Sequence, residues 1–262
     1  MARRSFASDL PPPFLKRLSF LQERVQPDEF PFTIPAFQRG KLTLDFERPI
    51  TIIVGENGTG KSTLLEGIAD LCGFNLSGGN RNHVFNRDQD QPTIAHALRG
   101  SWLPKVARGF FMRAESFFNF GRYIDGLDYS GGDPRAPYGG KSLHEQSHGE
   151  SFLALFRNKF NGQAIYILDE PEAALSPRRQ FEFVKVMRML ELEGQSQFII
   201  ATHSPILMAY PRAQLLMFDG RVIREAALSE TPHYQLTRNF VMNPKAMMDE
   251  LFAEVDAELA ED

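Results

Sequence analysis

The sequence predicts an α/β fold built on a mostly parallel sheet that is covered by helices on both faces. Three observations predict it. Compact runs of β-branched and other apolar residues recur at 50–54, 164–168 and 197–201, the continuous pattern of strands buried on both sides. Helical stretches lie between and after them, at 62–71 with Leu64, Leu65, Ile68 and Leu71 on one face, and from Ser176-Pro177 through Leu192. Buried strands alternating with helices are the pattern of parallel strands joined by crossovers.

The elements follow in order. The first 50 residues read as short strands at 14–21, 30–34 and 42–46, separated by prolines and expected to form an N-terminal antiparallel β subdomain. The run at 50–54 passes directly into Gly55 and then the first helix. Residues 73 to about 150 are less regular, with loop signals at Gly78-Gly79-Asn80 and at 130–134 around a strand-like, aromatic-rich stretch at 106–114. A helix is expected at 151–160, with Phe152, Leu155 and Phe156 on one face. Asn161-Gly162 turns the chain into the strand at 164–168. Ser176 is a capping residue with Pro177 at the first helical position, and Gly194 ends that helix. Asp219-Gly220 joins 215–218 to 222–224 as a hairpin. After Ser229 a helical tail is expected, and Asn243-Pro244 opens a last amphipathic helix carrying Met247, Met248, Leu251, Phe252 and Val255. The expected organisation is a single domain over 1–262, with an inserted lobe at about 73–160 and a C-terminal helical tail at about 229–262.

Bulk properties narrow the function classes. A net charge of −4 gives no chain-wide attraction to nucleic acid or anionic membrane, although it leaves room for a local basic patch. Cys72 is the only cysteine, so no internal disulfide can form, and a small buried hydrophobe at the end of a helix is its simplest role. No run reaches the roughly 18 apolar residues of a membrane span. The basic N-terminus meets Asp9 and Pro11-Pro12-Pro13 where a signal peptide needs an apolar stretch, so a cytoplasmic location is expected.

Gly55-Glu56-Asn57-Gly58-Thr59-Gly60-Lys61-Ser62-Thr63 fits the phosphate-loop pattern G-x-x-x-x-G-K-[ST]. Glycines let such a loop take positive φ and bring backbone N–H groups close to an anion. Lys61 then reaches the β/γ oxygens, and the Ser62 hydroxyl ligates Mg²⁺. Asp169 ends the strand at 164–168, where α/β sheets bind ligands, and is expected to hold the metal through water. Glu170 follows and can act as base toward an attacking water. ATP and Mg²⁺ are thus the expected cofactors.

Asp-Glu-Pro-Glu at 169–172, Ala174-Leu175-Ser176 and Ala201-Thr202-His203-Ser204-Pro205 together resemble the ABC ATPase superfamily. The wording of 143–151 and 169–177 is similar to stand-alone bacterial proteins described only as AAA-family ATPases, related to the SMC and RecF-like branch rather than to transporter subunits. The resemblance covers Ile50 to about Phe240. It implies a P-loop NTPase fold of the ABC-ATPase type, ATP hydrolysis, and a γ-phosphate contact for His203, where a lone histidine would otherwise read as a satisfied surface or core residue. It also implies that Ser147-His148-Gly149-Glu150-Ser151, in the inserted lobe, is the signature segment whose helix N-terminus caps the nucleotide of a second subunit. That segment departs from the transporter form at Gln146, His148 and Glu150, and an ordinary helix cap is the alternative. Glu115 is the candidate for the lobe's metal-facing residue, with a surface carboxylate as the alternative. Ser176 stands where the family has aspartate, and helix capping explains it.

The resulting expectation is a soluble ATPase whose ATP-driven head-to-tail homodimer switches an unknown protein partner or a nucleic-acid process in repair, genome maintenance or defence. The energy subunit of a membrane transporter is the main alternative, and a nucleotide switch with negligible turnover is a third. DNA is weakly supported. Lys105, Arg108 and Arg113 lie near Trp102 and Phe110, and Arg178-Arg179 start a helix, but basic groups in an acidic chain are usually solvated. No heptad run provides a coiled-coil arm.

Overall fold

A computed structural model describes residues 10–38, 40–76, 93–106, 108–113 and 162–261, together with positions 150, 152, 153 and 156. Nine strands are present among them: β1 Leu15–Phe20, β2 Thr43–Asp45, β3 Ile50–Val54, β4 Leu98–Trp102, β5 Gly109–Arg113, β6 Ala164–Asp169, β7 Ser196–Ala201, β8 Gln214–Asp219 and β9 Val222–Glu225. The helices are α1 Lys61–Cys72, α2 Pro177–Glu193, the single turn α3 Pro205–Met208, α4 Pro232–Met242 and α5 Pro244–Glu261.

Six strands form the main sheet in the order β5-β6-β7-β3-β8-β9, parallel from β5 to β8, with β9 closing the edge as the antiparallel arm of a hairpin. Side chains alternate along each strand, so neighbouring residues enter different cores. Ile50, Ile52, Val54, Tyr166, Leu168, Phe198 and Ile200 face one layer, which α2 covers with Phe183, Val186, Met187 and Leu190, and which Phe152 and Phe156 also enter. Ile53, Ile165, Ile167, Ile199 and Ala201 face the other, filled by Leu64, Leu65 and Ile68 of α1. These continuous apolar strands form because both faces are covered and neither needs polar residues.

The smaller sheet, ordered β2-β1-β4, is antiparallel and shares the second core through Leu15, Leu18, Leu44 and Leu98. Two buried glutamines fasten it to the main sheet. The Gln197 side chain on β7 accepts from the N–H groups of Phe14 and Leu15 at 2.8 and 2.9 Å and donates to Leu15 O at 3.1 Å. At β8 the Gln214 amide accepts from Glu47 N and donates to Asp45 O, both at 3.0 Å. Backbone groups leaving a sheet edge must find such partners, because an orphaned buried N–H costs about 1–3 kcal/mol.

Two features differ from the expectation. The stretch 30–34 is not a strand. Pro31 and Pro35 supply no ladder N–H, and the chain coils through successive turns, with Phe32 N donating to Glu29 O, Ile34 N to Pro31 O and Phe37 N to Ile34 O. Its hydrophobicity serves instead to bury Phe32 and Phe37. Conversely, residues 98–102 pair with β1 although Arg99, Gly100 and Ser101 give no strand-like run. The tail is helical, yet Leu251, Phe252 and Val255 of α5 remain exposed. No helix among the described residues is long and apolar enough to cross a membrane.

Candidate nucleotide site

The loop after β3 turns sharply into α1. Gly60 caps that helix with φ +103°, and a Cβ there would lie 3.0 Å from Ile34 and 3.1 Å from the Phe37 ring. At Gly55 a Cβ would meet Phe218 Cβ at 2.8 Å. Glycine is therefore required at both positions by conformation and by the closeness of the packing. Lys61, the first helical residue, is buried, and its Nζ donates to Gly55 O at 2.7 Å and Glu56 O at 2.9 Å. Burial lowers its pKa, while Glu170, Asp169, Glu56 and Glu172 act in the opposite direction. One ammonium thus stands among four carboxylates at the start of a helix.

Asp169 ends β6, and register with β7 places it opposite Ala201. Its Oδ1 accepts from the Ser62 hydroxyl at 3.2 Å and its Oδ2 from Arg113 Nε, also at 3.2 Å. Arg113, at the end of neighbouring β5, additionally pairs with Glu66 of α1. Burial pushes the Asp169 carboxyl up from its usual range, and Arg113 and Ser62 oppose that shift. Glu170 comes next with φ +50° and ψ +52°, the one non-glycine residue of positive φ among the described residues. Its N–H donates to Ala201 O at 2.9 Å. Left-handed backbone at such a residue costs roughly 1–3 kcal/mol and persists where its surroundings impose it. Here Pro171 adds its bias against right-handed helix at the preceding residue. The turn throws the Glu170 side chain out of the core, where it is 45% exposed.

His203 follows β7. Its N–H donates to Glu172 Oε1 at 2.5 Å, its Nε2 lies 3.5 Å from Glu170 Oε1, and its Nδ1 is 2.7 Å from Nε2 of His233, at the start of α4. Burial, followed by the positive charge of Lys61, lowers the His203 pKa, so the ring is neutral at neutral pH. Burial raises the pKa of Glu172, against hydrogen bonds from the His203 N–H and Thr202.

The carboxyl ends of β3, β6 and β7 thus bring together Lys61, Ser62, Asp169, Glu170 and His203. Glu115, Ser147 and Gly149 lie outside the described residues. Glu150 is exposed and pairs with Arg179 near the start of α2 at 2.9 Å. Ser176 caps α2, accepting from Arg179 N at 3.4 Å. Phe110 is buried in the sheet, and Arg113 is held by the carboxylates of Glu66 and Asp169. Sequence reasoning missed Arg113, Glu66 and His233 as neighbours of the site. A residue pairing across strands, or 30 positions beyond its partner, leaves no local pattern. Glu172 was visible within the quoted Asp-Glu-Pro-Glu stretch, but without a role.

Comparison with known proteins matches two segments of the chain. Residues 34–103 match a family described as "AAA domain", and residues 143–209 one described as "AAA domain, putative AbiEii toxin, Type IV TA system". Among curated relatives, the macrolide export ATP-binding/permease protein MacB of Chromobacterium violaceum is 25% identical over 199 residues, 66% of this chain and 29% of that protein. The ribose import ATP-binding protein RbsA 2 of Burkholderia cenocepacia is 26% identical over 221 residues, 73% and 41% of the two chains. The chain spans about a third of the length of the MacB relatives it matches, 29% to 36%. Among solved structures, the SMC head domain from Thermotoga maritima aligns at 17% identity over 82% of this chain and 99% of that one, with a TM-score of 0.46. The glycine loop, the strand order and the matches at 34–103 and 143–209 mark the chain as similar to P-loop nucleotide-binding domains of the ABC type.

Proposed function

We propose that this chain binds ATP with Mg²⁺ and hydrolyses it. The observation that carries the reading is the convergence of Lys61, Ser62, Asp169, Glu170 and His203 on one sheet end, around a glycine loop that opens a helix. Free N–H groups and the helix dipole favour phosphate there. Lys61 neutralises the β/γ oxygens. The Ser62 hydroxyl and the Asp169 carboxylate, 3.2 Å apart, are hard oxygen donors of the kind that suits Mg²⁺. Ser62 and Asp169 are the residues that would hold the ion. When bound, the ion supplies charge neutralisation on the phosphates. Glu170, exposed to solvent beside the site, takes the proton of the attacking water, and His203 donates toward the γ-phosphate.

The working unit in this reading is an ATP-dependent head-to-tail dimer. The five site residues gather on one face of the nucleotide, and the segment at 147–151 caps the γ-phosphate of a second copy. Two-fold symmetry then makes two equivalent composite sites. Release of the pair on hydrolysis switches a protein partner or a nucleic-acid process. The export and import relatives favour a second reading, in which the chain powers a membrane transporter. Copurification with a membrane protein would select that one.

The test uses Glu170→Gln, alone and with Ser147→Arg. Glu170→Gln should keep ATP binding, lose on the order of 10²–10⁴ in turnover, and shift from monomer to dimer with Mg-ATP in light scattering. The double variant should stay monomeric. A double variant that dimerises equally well would reduce 147–151 to a helix cap.

A further inference from the structure

We propose that His233, on the tail helix α4, is a positioning residue that fixes the tautomer of His203 so that its Nε2 carries the proton. The proposal rests on the ATP reading only in giving that N–H a use, as donor to the γ-phosphate.

His203 Nδ1 and His233 Nε2 stand 2.7 Å apart, with ring centroids separated by 4.6 Å. A neutral imidazole has one N–H and one acceptor nitrogen, so a bond this short between two of them admits one shared proton and two arrangements. Burial and then Lys61 lower the His203 pKa, against Glu56 and Asp169, which favours the neutral ring.

In the first arrangement His203 donates through Nδ1–H. Its Nε2 is then a bare lone pair 3.5 Å from Glu170 Oε1, in a position where the ring nitrogen is out of solvent and has no hydrogen-bond partner. Two acceptors would face each other. In the second, His233 donates through Nε2–H, and the proton of His203 sits on Nε2, facing the Glu170 carboxylate. The second places positive hydrogen against negative oxygen. Electrostatics therefore select it. Only this tautomer can donate to a phosphate oxygen, because the lone pair of the other would repel it.

The fold holds His233 in place. Pro232 is the first residue of α4, and Thr231 before it is fully buried, its hydroxyl donating to Leu228 O at 2.8 Å and packing on Met208 of α3. The His203 main chain is fixed separately by its N–H to Glu172. Displacing the start of α4 would leave His203 free to take either tautomer.

The experiment is long-range ¹H–¹⁵N correlation on the full chain with ¹⁵N-labelled histidine, run without nucleotide and assigned by His203 and His233 substitutions, beside steady-state ATP kinetics. Wild type should show His203 protonated at Nε2 alone. His233→Ala should give averaged His203 shifts and lower kcat about tenfold, roughly the worth of one hydrogen bond, with KM for ATP changed less than twofold. In His233→Gln, whose amide N–H can still donate, both tautomer and kcat should recover. A wild-type His203 protonated at Nδ1, an Ala variant with an unchanged spectrum, or a folded Gln variant as impaired as Ala would overturn the proposal. A chain that showed the Nε2–H tautomer without turning over ATP would refute the ATPase reading and leave the tautomer assignment standing.

Discussion

The faces of the parallel sheet and the carboxyl ends of its strands are made from the same segments under opposite rules. On the faces, Phe110, Tyr166, Phe183 and Phe198 are buried, and the Tyr166 and Phe198 rings stack at 4.7 Å. At and beyond the carboxyl ends of β3, β6 and β7, Lys61 and Asp169 are buried charges, Glu170 is in the left-handed region, and His203 Nε2 lies out of solvent without a hydrogen-bond partner. The faces gain stability from area removed from water. The ends hold groups whose burial costs free energy and whose charges shift one another. Stability made in the first region maintains the strained and desolvated groups of the second.

Substitutions can separate the two regions. The largest effect on stability is expected on the face. Phe183 packs against Phe152 and Phe156 with centroids 5.1 and 5.2 Å apart, and Phe183→Ala should cost about 3–5 kcal/mol in urea unfolding. Mg-ATP affinity of the fraction still folded should stay close to wild type. A large loss of affinity without loss of stability would mean that the face is part of the site. The smaller effect, of opposite sign, is expected at the strand end. Glu170→Gly removes the side chain from a left-handed position and should raise stability by about 1 kcal/mol, while turnover is lost with the carboxylate. A fall in stability at this position would contradict the assignment of strain there.

The contrast also explains what could be read from the residues alone. The faces are legible because burial on both sides demands unbroken apolar runs, which is why β3, β6 and β7 and the helix between Ser176 and Gly194 were expected within a residue or so of where they lie. The loop and Asp169 are legible for a different reason, since phosphate and metal chemistry restrict residue type at fixed spacing. Where an element's partners come from afar, the signal disappears. β4 exists because β1 offers it an edge, and the turns at 30–37 bury phenylalanines without forming a ladder. His233 and Arg113 reach the site through tertiary packing alone, so no window of sequence around them points to it.

The central claim is that the glycine loop and Lys61 form a cradle for nucleotide phosphate. Isothermal titration calorimetry of Mg-ATP against wild type and Lys61→Ala tests it most directly, with circular dichroism to confirm that the variant is folded. Removing a buried ammonium that would bond to phosphate should weaken binding by roughly 10- to 100-fold, the range for a charge-assisted hydrogen bond. An ATP dissociation constant unchanged in folded Lys61→Ala would contradict the account.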